Sequence, residues 1–162
     1  MRLAIAFLTM VFTAAAASAA DPVYLDQVIE MPLATLEAQL GPIKREGCFQ
    51  IGPDRFLLVT VNRKDGKPAR VVLSSIEPCK KPVAAPPLDV RERNGVSLGD
   101  KTLDVVTRLG RPDAAAAPDP ALRKLGETEY FYICRIEEGC ARHTSVFMRD
   151  GLVTAIAEWY SE

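Results

Sequence analysis

The segment at residues 100–112, DKTLDVVTRLGRP, predicts a short amphipathic helix with a defined end. Leu103, Val106 and Leu109 recur at a spacing of three, which places them along one face of a helix. Gly110 and a proline two positions later follow directly, and residues of these types commonly end a helix. We therefore expect this apolar stripe to pack against a sheet.

A similar segment occurs near the start of the chain, at residues 32–42, PLATLEAQLGP. Leu33, Leu36 and Leu40 lie on one face of the predicted helix, and a glycine followed by a proline ends it. The sequence thus divides into two halves that each open with a short helix.

Segments rich in valine, leucine and aromatic residues follow each helix and predict antiparallel strands. Short turns separate consecutive strands, such as the turns at residues 63–68 and 149–151, which both contain an Asp-Gly pair. The predicted strands are residues 48–51, 56–62 and 69–76 in the first half and residues 129–136, 144–148 and 152–160 in the second.

A stretch rich in proline and alanine, residues 80–87, can continue neither a helix nor a central strand. We interpret it as part of a linker, residues 80–93, between the two halves. The predicted fold class is α+β, with two tandem repeats that each pack a short helix on an antiparallel β-meander. The first repeat is predicted at residues 21–79 and the second at residues 94–162.

The first 20 residues have the pattern of a cleavable signal peptide. A positive charge at Arg2 precedes an apolar run at residues 3–12 and a tract of small residues at 14–20. The alternative, a membrane anchor, needs roughly 20 apolar residues, about twice the length of this run. The tract is not followed by the cysteine that a bacterial lipoprotein would carry. We expect a periplasmic or secreted protein with no membrane span after cleavage.

The charge balance argues against a nucleic-acid footprint. The 162 residues include 20 Lys and Arg against 21 Asp and Glu, which gives a net charge of −1. Hydrophobic residues make up 48% of the chain and charged residues 25%, which is enough apolar material for a folded core. We expect a globular protein that does not bind nucleic acid.

Four cysteines lie in the exported part of the chain, at Cys48, Cys79, Cys134 and Cys140. An even number in a small exported protein favours two disulfides. Three pairings exist, and we predict Cys48 with Cys79 and Cys134 with Cys140, because each bridge then stays within one half. The alternative is a zinc site, but the paired C-x2-C spacing is absent and His143 is the only histidine.

Aromatic residues gather in the second half and suggest a binding surface. Neighbouring residues on a strand point to opposite faces of the sheet. We expect Phe131 and Ile133, which are wholly apolar, to face the core. Tyr130, Tyr132 and Trp159 are then the candidate partner-binding residues, because amphipathic rings serve well as binding anchors. The alternative is that these rings form a second packing layer.

The sequence gives little support for catalysis. His143 and Ser145 could face the same side of a strand, but a hydrolase also needs an orienting acid. The carboxylates at residues 137–138, or Glu127 with Glu129, are more simply explained as solvated charges of hairpins. The sequence has no phosphate-binding loop and no metal-binding motif. We expect no enzyme activity, no metal and no cofactor.

Residues 96–113 contain an apolar residue and a glycine, then a helix, then a Leu-Gly-x-Pro sequence. An aromatic strand at residues 130–132 and a hairpin at residues 150–153 follow. In this order, residues 94–160 resemble the repeat of the SmpA/BamE-like and β-lactamase-inhibitory-protein-like superfamily. The first half matches less closely, with Glu30 at the position of the glycine. The matching positions in the second half are Gly99, Val105, Leu109, Gly110 and Pro112.

That resemblance implies a tandem of helix-plus-sheet repeats that binds another protein. We therefore expect a non-enzymatic periplasmic or secreted protein-binding module whose partner is a protein of the cell envelope. One form of such a module is an inhibitor of an envelope or secreted hydrolase. The alternative is an accessory protein of envelope or outer-membrane assembly that, unlike most single-repeat members, carries no lipid.

Overall fold

The computed structural model describes residues 21–62, 66–133 and 142–160. The predicted signal peptide, the predicted Cys134–Cys140 bridge and the acidic pair at residues 137–138 lie outside the described residues. The elements, in chain order, are β1 Val23–Tyr24, α1 Leu25–Glu30, α2 Leu33–Leu40, β2 Glu46–Gly52, β3 Arg55–Asn62, β4 Lys67–Ser74, β5 Val83–Ala84, β6 Val90–Arg91, α3 Thr102–Leu109, β7 Ala114–Ala116, β8 Thr128–Ile133, β9 Arg142–Arg149 and β10 Leu152–Tyr160.

The described residues form an α+β fold, as predicted, with three α-helices and one large, mostly antiparallel sheet. Its eight strands run in the order β5–β2–β3–β4–β10–β9–β8–β7, and β5 is the strand that pairs parallel with its neighbour. β1 and β6 form a separate parallel pair. Each half of the chain thus contributes three consecutive antiparallel strands, β2–β4 and β8–β10.

β4 and β10 join the two groups of strands in the middle of the sheet. They pair antiparallel from Ser74 opposite Ala155 to Arg70 opposite Trp159. Helix α1 packs across this junction against both strands, and its apolar residues are buried. Residues 92–101, which precede α3, contain no helix that would correspond to α1. The two halves therefore share one sheet but differ in their helices.

The predicted strands agree well with the observed ones. β10 covers the predicted residues 152–160, and β3 begins one residue before the predicted residues 56–62. The segment at residues 80–93 is not only a linker. It contributes β5, which pairs with β2 at Phe49 and Gln50, and β6, which pairs with β1.

The predicted bridge between Cys48 and Cys79 is present, with the two Cα atoms 6.5 Å apart. Cys48 lies in β2, and Cys79 immediately precedes residues 80–93. The bridge therefore ties the start of this segment to the same strand that β5 pairs with.

All three helices pack on one side of the sheet and share a single hydrophobic core with it. Leu36 and Leu40 of α2 are buried there, as predicted. In α3 the predicted apolar face is wrong, because Leu103 is 74% exposed whereas Val105 is fully buried. Leu109, the last residue of the predicted stripe, is partly buried against the core.

Contacts with the β9–β10 hairpin explain the orientation of α3. The backbone N–H of Thr102 donates to the carbonyl of Gly151 at 3.0 Å, and the Thr102 hydroxyl donates to the same carbonyl at 3.2 Å. These bonds turn Thr102 towards the sheet, so Val105, one turn later, also points inward. Because threonine is polar, a stripe based on apolar residues alone does not include it.

Candidate functional site

The side of the sheet opposite the helices, which we call the helix-free face, is only partly covered by the residues that the structure describes. Leu125, in a short 3-10 turn at Arg123–Leu125, packs there in a small apolar cluster with residues of β3, β4, β9 and β10. The members of that cluster in the strands are Leu58, Val72, Phe147, Ala155 and Ala157.

A row of larger side chains crosses the end of this face that the turn leaves open. Trp159 of β10 lies opposite Arg70 of β4 on one side and opposite His143 of β9 on the other. His143 in turn lies opposite Ile133 of β8. Because residues opposite each other in register share a face, these side chains form a continuous row across four strands.

Three rings at this end contact one another and form what we call the aromatic cluster, Phe131, His143 and Trp159. The ring centroids of Phe131 and His143 are 5.1 Å apart, those of His143 and Trp159 4.8 Å, and those of Phe131 and Trp159 5.6 Å. All three side chains are half-buried. Tilted rings at these separations attract one another, so each ring holds the next in place.

Polar contacts fix the indole of the aromatic cluster. Trp159 Nε1 donates to Oγ of Ser145 at 3.2 Å, which points the edge of the ring at the sheet. The guanidinium carbon of Arg70 lies 5.7 Å from the centre of the indole ring, close enough for a cation–π contact. Ile133, at the other end of the row, is 45% exposed.

A recess of about 370 Å³ lies beside the aromatic cluster. Its walls include Trp159, Phe147 and Leu122, and its polar groups include Asp119 and Glu129 as well as the arginine of the row. The helix-free face thus combines rings, a cation, two carboxylates and a hollow within a small area.

The predicted orientation of β8 is wrong. Tyr132 is 9% exposed and belongs to the core on the helix side, and Tyr130 packs against that core. Phe131 and Ile133 therefore face the helix-free side, where the sequence analysis places the two tyrosines. Trp159 is the candidate residue that lies on the helix-free face and is partly accessible there.

The hydroxyl of Tyr132 explains how a tyrosine can occupy the core side. It donates to the carbonyl of Gly110, just after α3, at 3.3 Å, so the polar end of the ring has a partner at the edge of the core. Burial raises the pKa of Tyr132 to about 12, which keeps the hydroxyl protonated as a donor. Sequence alone does not show that the Gly110 carbonyl lies within reach of this hydroxyl.

The geometry does not support the histidine–serine pair as a nucleophile with its base. His143 contacts the rings of Phe131 and Trp159, and Ser145 Oγ accepts its hydrogen bond from the indole. Among the described residues, no group of three His, Cys, Asp or Glu side chains could hold a metal ion. The described residues also include no helix long and apolar enough to cross a membrane.

A second site, which the sequence analysis missed, is a polar cleft of about 260 Å³ on the helix side. We call it the acidic cleft, because Glu158 of β10 lines it although its side chain is only 6% exposed. Its charged lining residues are Asp26, Glu92, Arg93, Arg108, Arg142 and Glu158.

The carboxylate of Glu158 is incompletely compensated. Its Oε1 accepts a hydrogen bond from the Thr144 hydroxyl at 2.7 Å. Its Oε2 is buried without a hydrogen-bond partner among the described residues, and the nearest cation, Nε of Arg142, is 3.5 Å away. Burial, with smaller contributions from Glu92 and Asp26, raises the pKa of Glu158 to about 7. Near neutral pH the group is therefore partly protonated.

The chain matches no family model, no curated protein and no solved structure. Its resemblance to the SmpA/BamE-like and β-lactamase-inhibitory-protein-like superfamily therefore stays a prediction from the motifs of residues 94–160.

Proposed function

We propose that this protein is a non-enzymatic module that binds a protein partner in the cell envelope through its helix-free face. The observation that carries the proposal is the half-buried aromatic cluster of Phe131, His143 and Trp159, flanked by Arg70 and Ile133. Inhibition of an envelope or secreted hydrolase is the role that we assign to this binding.

The composition of this patch is typical of a binding hot spot. Tryptophan, tyrosine and arginine dominate the binding energy of protein interfaces, and they do so where they can be fully desolvated. Trp159 and Arg70 are adjacent on the face and already contact each other. Because the three rings already contact one another, their side chains lose little conformational freedom when a partner covers them.

The recess next to Trp159 supports the same proposal. A hollow between Leu122 and the indole could receive one side chain of a partner, while Asp119 and Glu129 offer hydrogen-bond acceptors at its wall. A flat sheet surface lacks such a feature. The residues that dominate binding energy cluster in well-packed pockets from which water is excluded.

The Cys48–Cys79 bridge supports a location outside the cytoplasm, because disulfides persist in oxidising compartments. The predicted signal peptide at residues 1–20 points the same way. The two antiparallel groups, β2–β4 and β8–β10, support the further proposal that the fold is a tandem of helix-plus-meander repeats. Because the helices of the two halves differ, the proposed repeat applies to the strands only.

Affinity capture from a periplasmic extract, with mass spectrometry of the bound proteins, tests the proposed function. Wild-type protein should retain a specific partner that a double variant, Phe131→Ala with Trp159→Ala, does not retain. Leu103→Ala is the matched control, because Leu103 is an apolar residue that is 74% exposed on the opposite side of the sheet. Circular dichroism should show that all variants are folded.

Three outcomes of this experiment are distinct. Loss of the partner in the double variant alone supports the helix-free face. Equal loss with Leu103→Ala, or retention by every variant, contradicts it. If the retained protein is a component of outer-membrane assembly rather than a hydrolase, the binding face stands and the role becomes that of an assembly accessory.

A further inference from the structure

Small residues in the strands create the recess beside the aromatic cluster. Ala157 of β10 and Ser145 of β9 lie opposite each other in register, and each is only 1% exposed. Their short side chains leave a space that the larger side chains of Trp159 and Leu122 border. The recess of about 370 Å³ has room for one long side chain of a partner.

The charged residues that line the recess are unbalanced. They are two acids, Glu129 of β8 and Asp119 of the preceding loop, and one base, Arg70 of β4. The guanidinium carbon of Arg70 lies 5.7 Å from the centre of the Trp159 indole ring. The lining therefore carries one more negative charge than positive.

Both carboxylates are accessible, and neither forms an ion pair within the ranges that the structure describes. Glu129 is half-buried and Asp119 is exposed. One oxygen of Asp119 accepts the N–H of Ala121 at 2.8 Å, which holds this carboxylate in a turn and leaves its other oxygen for a second donor. Glu127 differs from Glu129, two positions later, because it lies 3.8 Å from Nε of Arg149.

The walls of the recess narrow the choice of cation. Leu122 and the indole of Trp159 offer apolar surface on which the methylene stem of a long basic side chain can pack. A guanidinium has five N–H donors in one plane, so it can bond to two carboxylates at once, and it is less strongly hydrated than an ammonium group. A bare metal ion does not suit the recess, because the described acids include no group of three that could hold one.

We propose that the recess receives an arginine side chain of the partner protein. Its guanidinium donates to the carboxylates of Glu129 and Asp119, and its methylene groups pack against Leu122 and Trp159. The added positive charge balances the excess negative charge of the lining. This inference rests on the proposed function, since it names the chemistry that the partner presents to the helix-free face.

Titration with Nα-acetyl-arginine methylamide, followed by tryptophan fluorescence, tests the proposal. Trp159 is the only tryptophan of the chain, so the signal reports on the wall of the recess. The probe should give a saturable change at millimolar concentration, which is the range expected for one isolated side chain. Nα-acetyl-citrulline methylamide, which has nearly the same shape without the charge, should not bind, and Nα-acetyl-lysine methylamide should bind more weakly than the arginine probe.

Variants of the two acids locate the binding. Glu129→Gln should weaken the arginine probe about tenfold or more, because a hydrogen bond between charged groups is lost. Glu127→Gln is the matched control, since it makes the same substitution two positions away at an acid that does not line the recess, and it should bind the probe like the wild type. Asp119→Asn, in a different part of the chain, should weaken the probe several-fold. Circular dichroism should show that all three variants are folded.

The same variants separate this inference from the proposed function when they are used in the affinity capture. Glu129→Gln should weaken retention of the partner. A partner that is lost by Phe131→Ala with Trp159→Ala but retained fully by Glu129→Gln and Asp119→Asn overturns the arginine while the binding face stands. Binding of the arginine probe by a protein that captures no partner contradicts the proposed function alone. Equal binding of the citrulline probe, tighter binding of the lysine probe, binding unaffected by Glu129→Gln, or no saturable change at millimolar arginine probe would overturn the inference.

Discussion

Replacing Glu158 by glutamine should make the protein more stable at alkaline pH and less sensitive to pH. In the folded protein the pKa of Glu158 rises from the ordinary value of 4.5 to about 7, mainly because the group is buried. A group whose pKa is raised on folding stabilises the folded state below its unfolded pKa, and this contribution is lost as the pH rises through the folded pKa. The wild-type protein should therefore be more stable at pH 5 than at pH 8.

The size of the effect follows from the shift. A rise from 4.5 to about 7 corresponds to about 3 kcal/mol, as an upper bound for the loss of unfolding free energy between pH 5 and pH 8. Glutamine has nearly the same shape, and its carbonyl can still accept the Thr144 hydroxyl that Glu158 accepts at 2.7 Å. Glu158→Gln should thus equal the wild type near pH 5 and exceed it by about 1–3 kcal/mol at pH 8.

Urea denaturation followed by circular dichroism, at intervals between pH 5 and pH 8, measures this difference. Glu127→Gln is the control, because it makes the same substitution at a glutamate whose side chain is exposed. The reasoning fails if Glu158→Gln is less stable than the wild type by the same amount throughout. That result would mean that Glu158 stays ionised and that Arg142 compensates it fully.

Two further predictions concern the core and the disulfides. Leu36→Ala removes a fully buried side chain and should lower the unfolding free energy by about 2–5 kcal/mol, whereas Leu103→Ala should change it by less than about 0.5 kcal/mol; a similar loss in both variants would contradict the observed helix faces. Peptide mapping without reduction should find Cys48 joined to Cys79 and Cys134 joined to Cys140; a peptide joining Cys79 to Cys134 would refute the pairing. The double variant Cys48→Ser with Cys79→Ser, which lacks the first bridge, should lose roughly 3–4 kcal/mol of unfolding free energy.

Local sequence signals predict the strands and helix ends well. β3 and β10 are long, rich in valine, leucine and aromatic residues, and bounded by turns, so period and composition agree. Helix α2 ends at Leu40 before Gly41, and α3 ends at Leu109 before Gly110, whose φ values are 104° and 80°. Glycine adopts these angles without strain, which is why it marks both helix ends in the sequence.

Features that depend on contacts distant in the sequence were not predictable in the same way. Helix α1 is only six residues long, so its periodicity is too short to detect, and its burial depends on the junction of β4 and β10. The face of α3 depends on Gly151, and the face of β8 depends on a carbonyl after α3 that accepts the Tyr132 hydroxyl. In each case a polar contact decides which side of an element is buried.

The two candidate sites illustrate the same limit. The sequence predicts partner-binding aromatic residues in the second half; Trp159 lies on the helix-free face, but its ring partners are Phe131 and His143 instead of the two tyrosines. The acidic cleft was missed because Glu158 looks like an ordinary charge near the end of a strand. Alternation shows that it shares a face with Ile156, but only the packed helices show that this face is buried.

The central claim is that this protein binds another protein through its helix-free face. The most direct test is the dissociation constant of the captured partner. It should be measured by surface plasmon resonance for the wild type, for Phe131→Ala with Trp159→Ala, and for Leu103→Ala. We predict that the double variant weakens binding by about 2 kcal/mol or more, roughly thirtyfold, while its melting temperature stays within a few degrees and Leu103→Ala binds like the wild type. A double variant that is folded and binds the partner as tightly as the wild type would contradict the account.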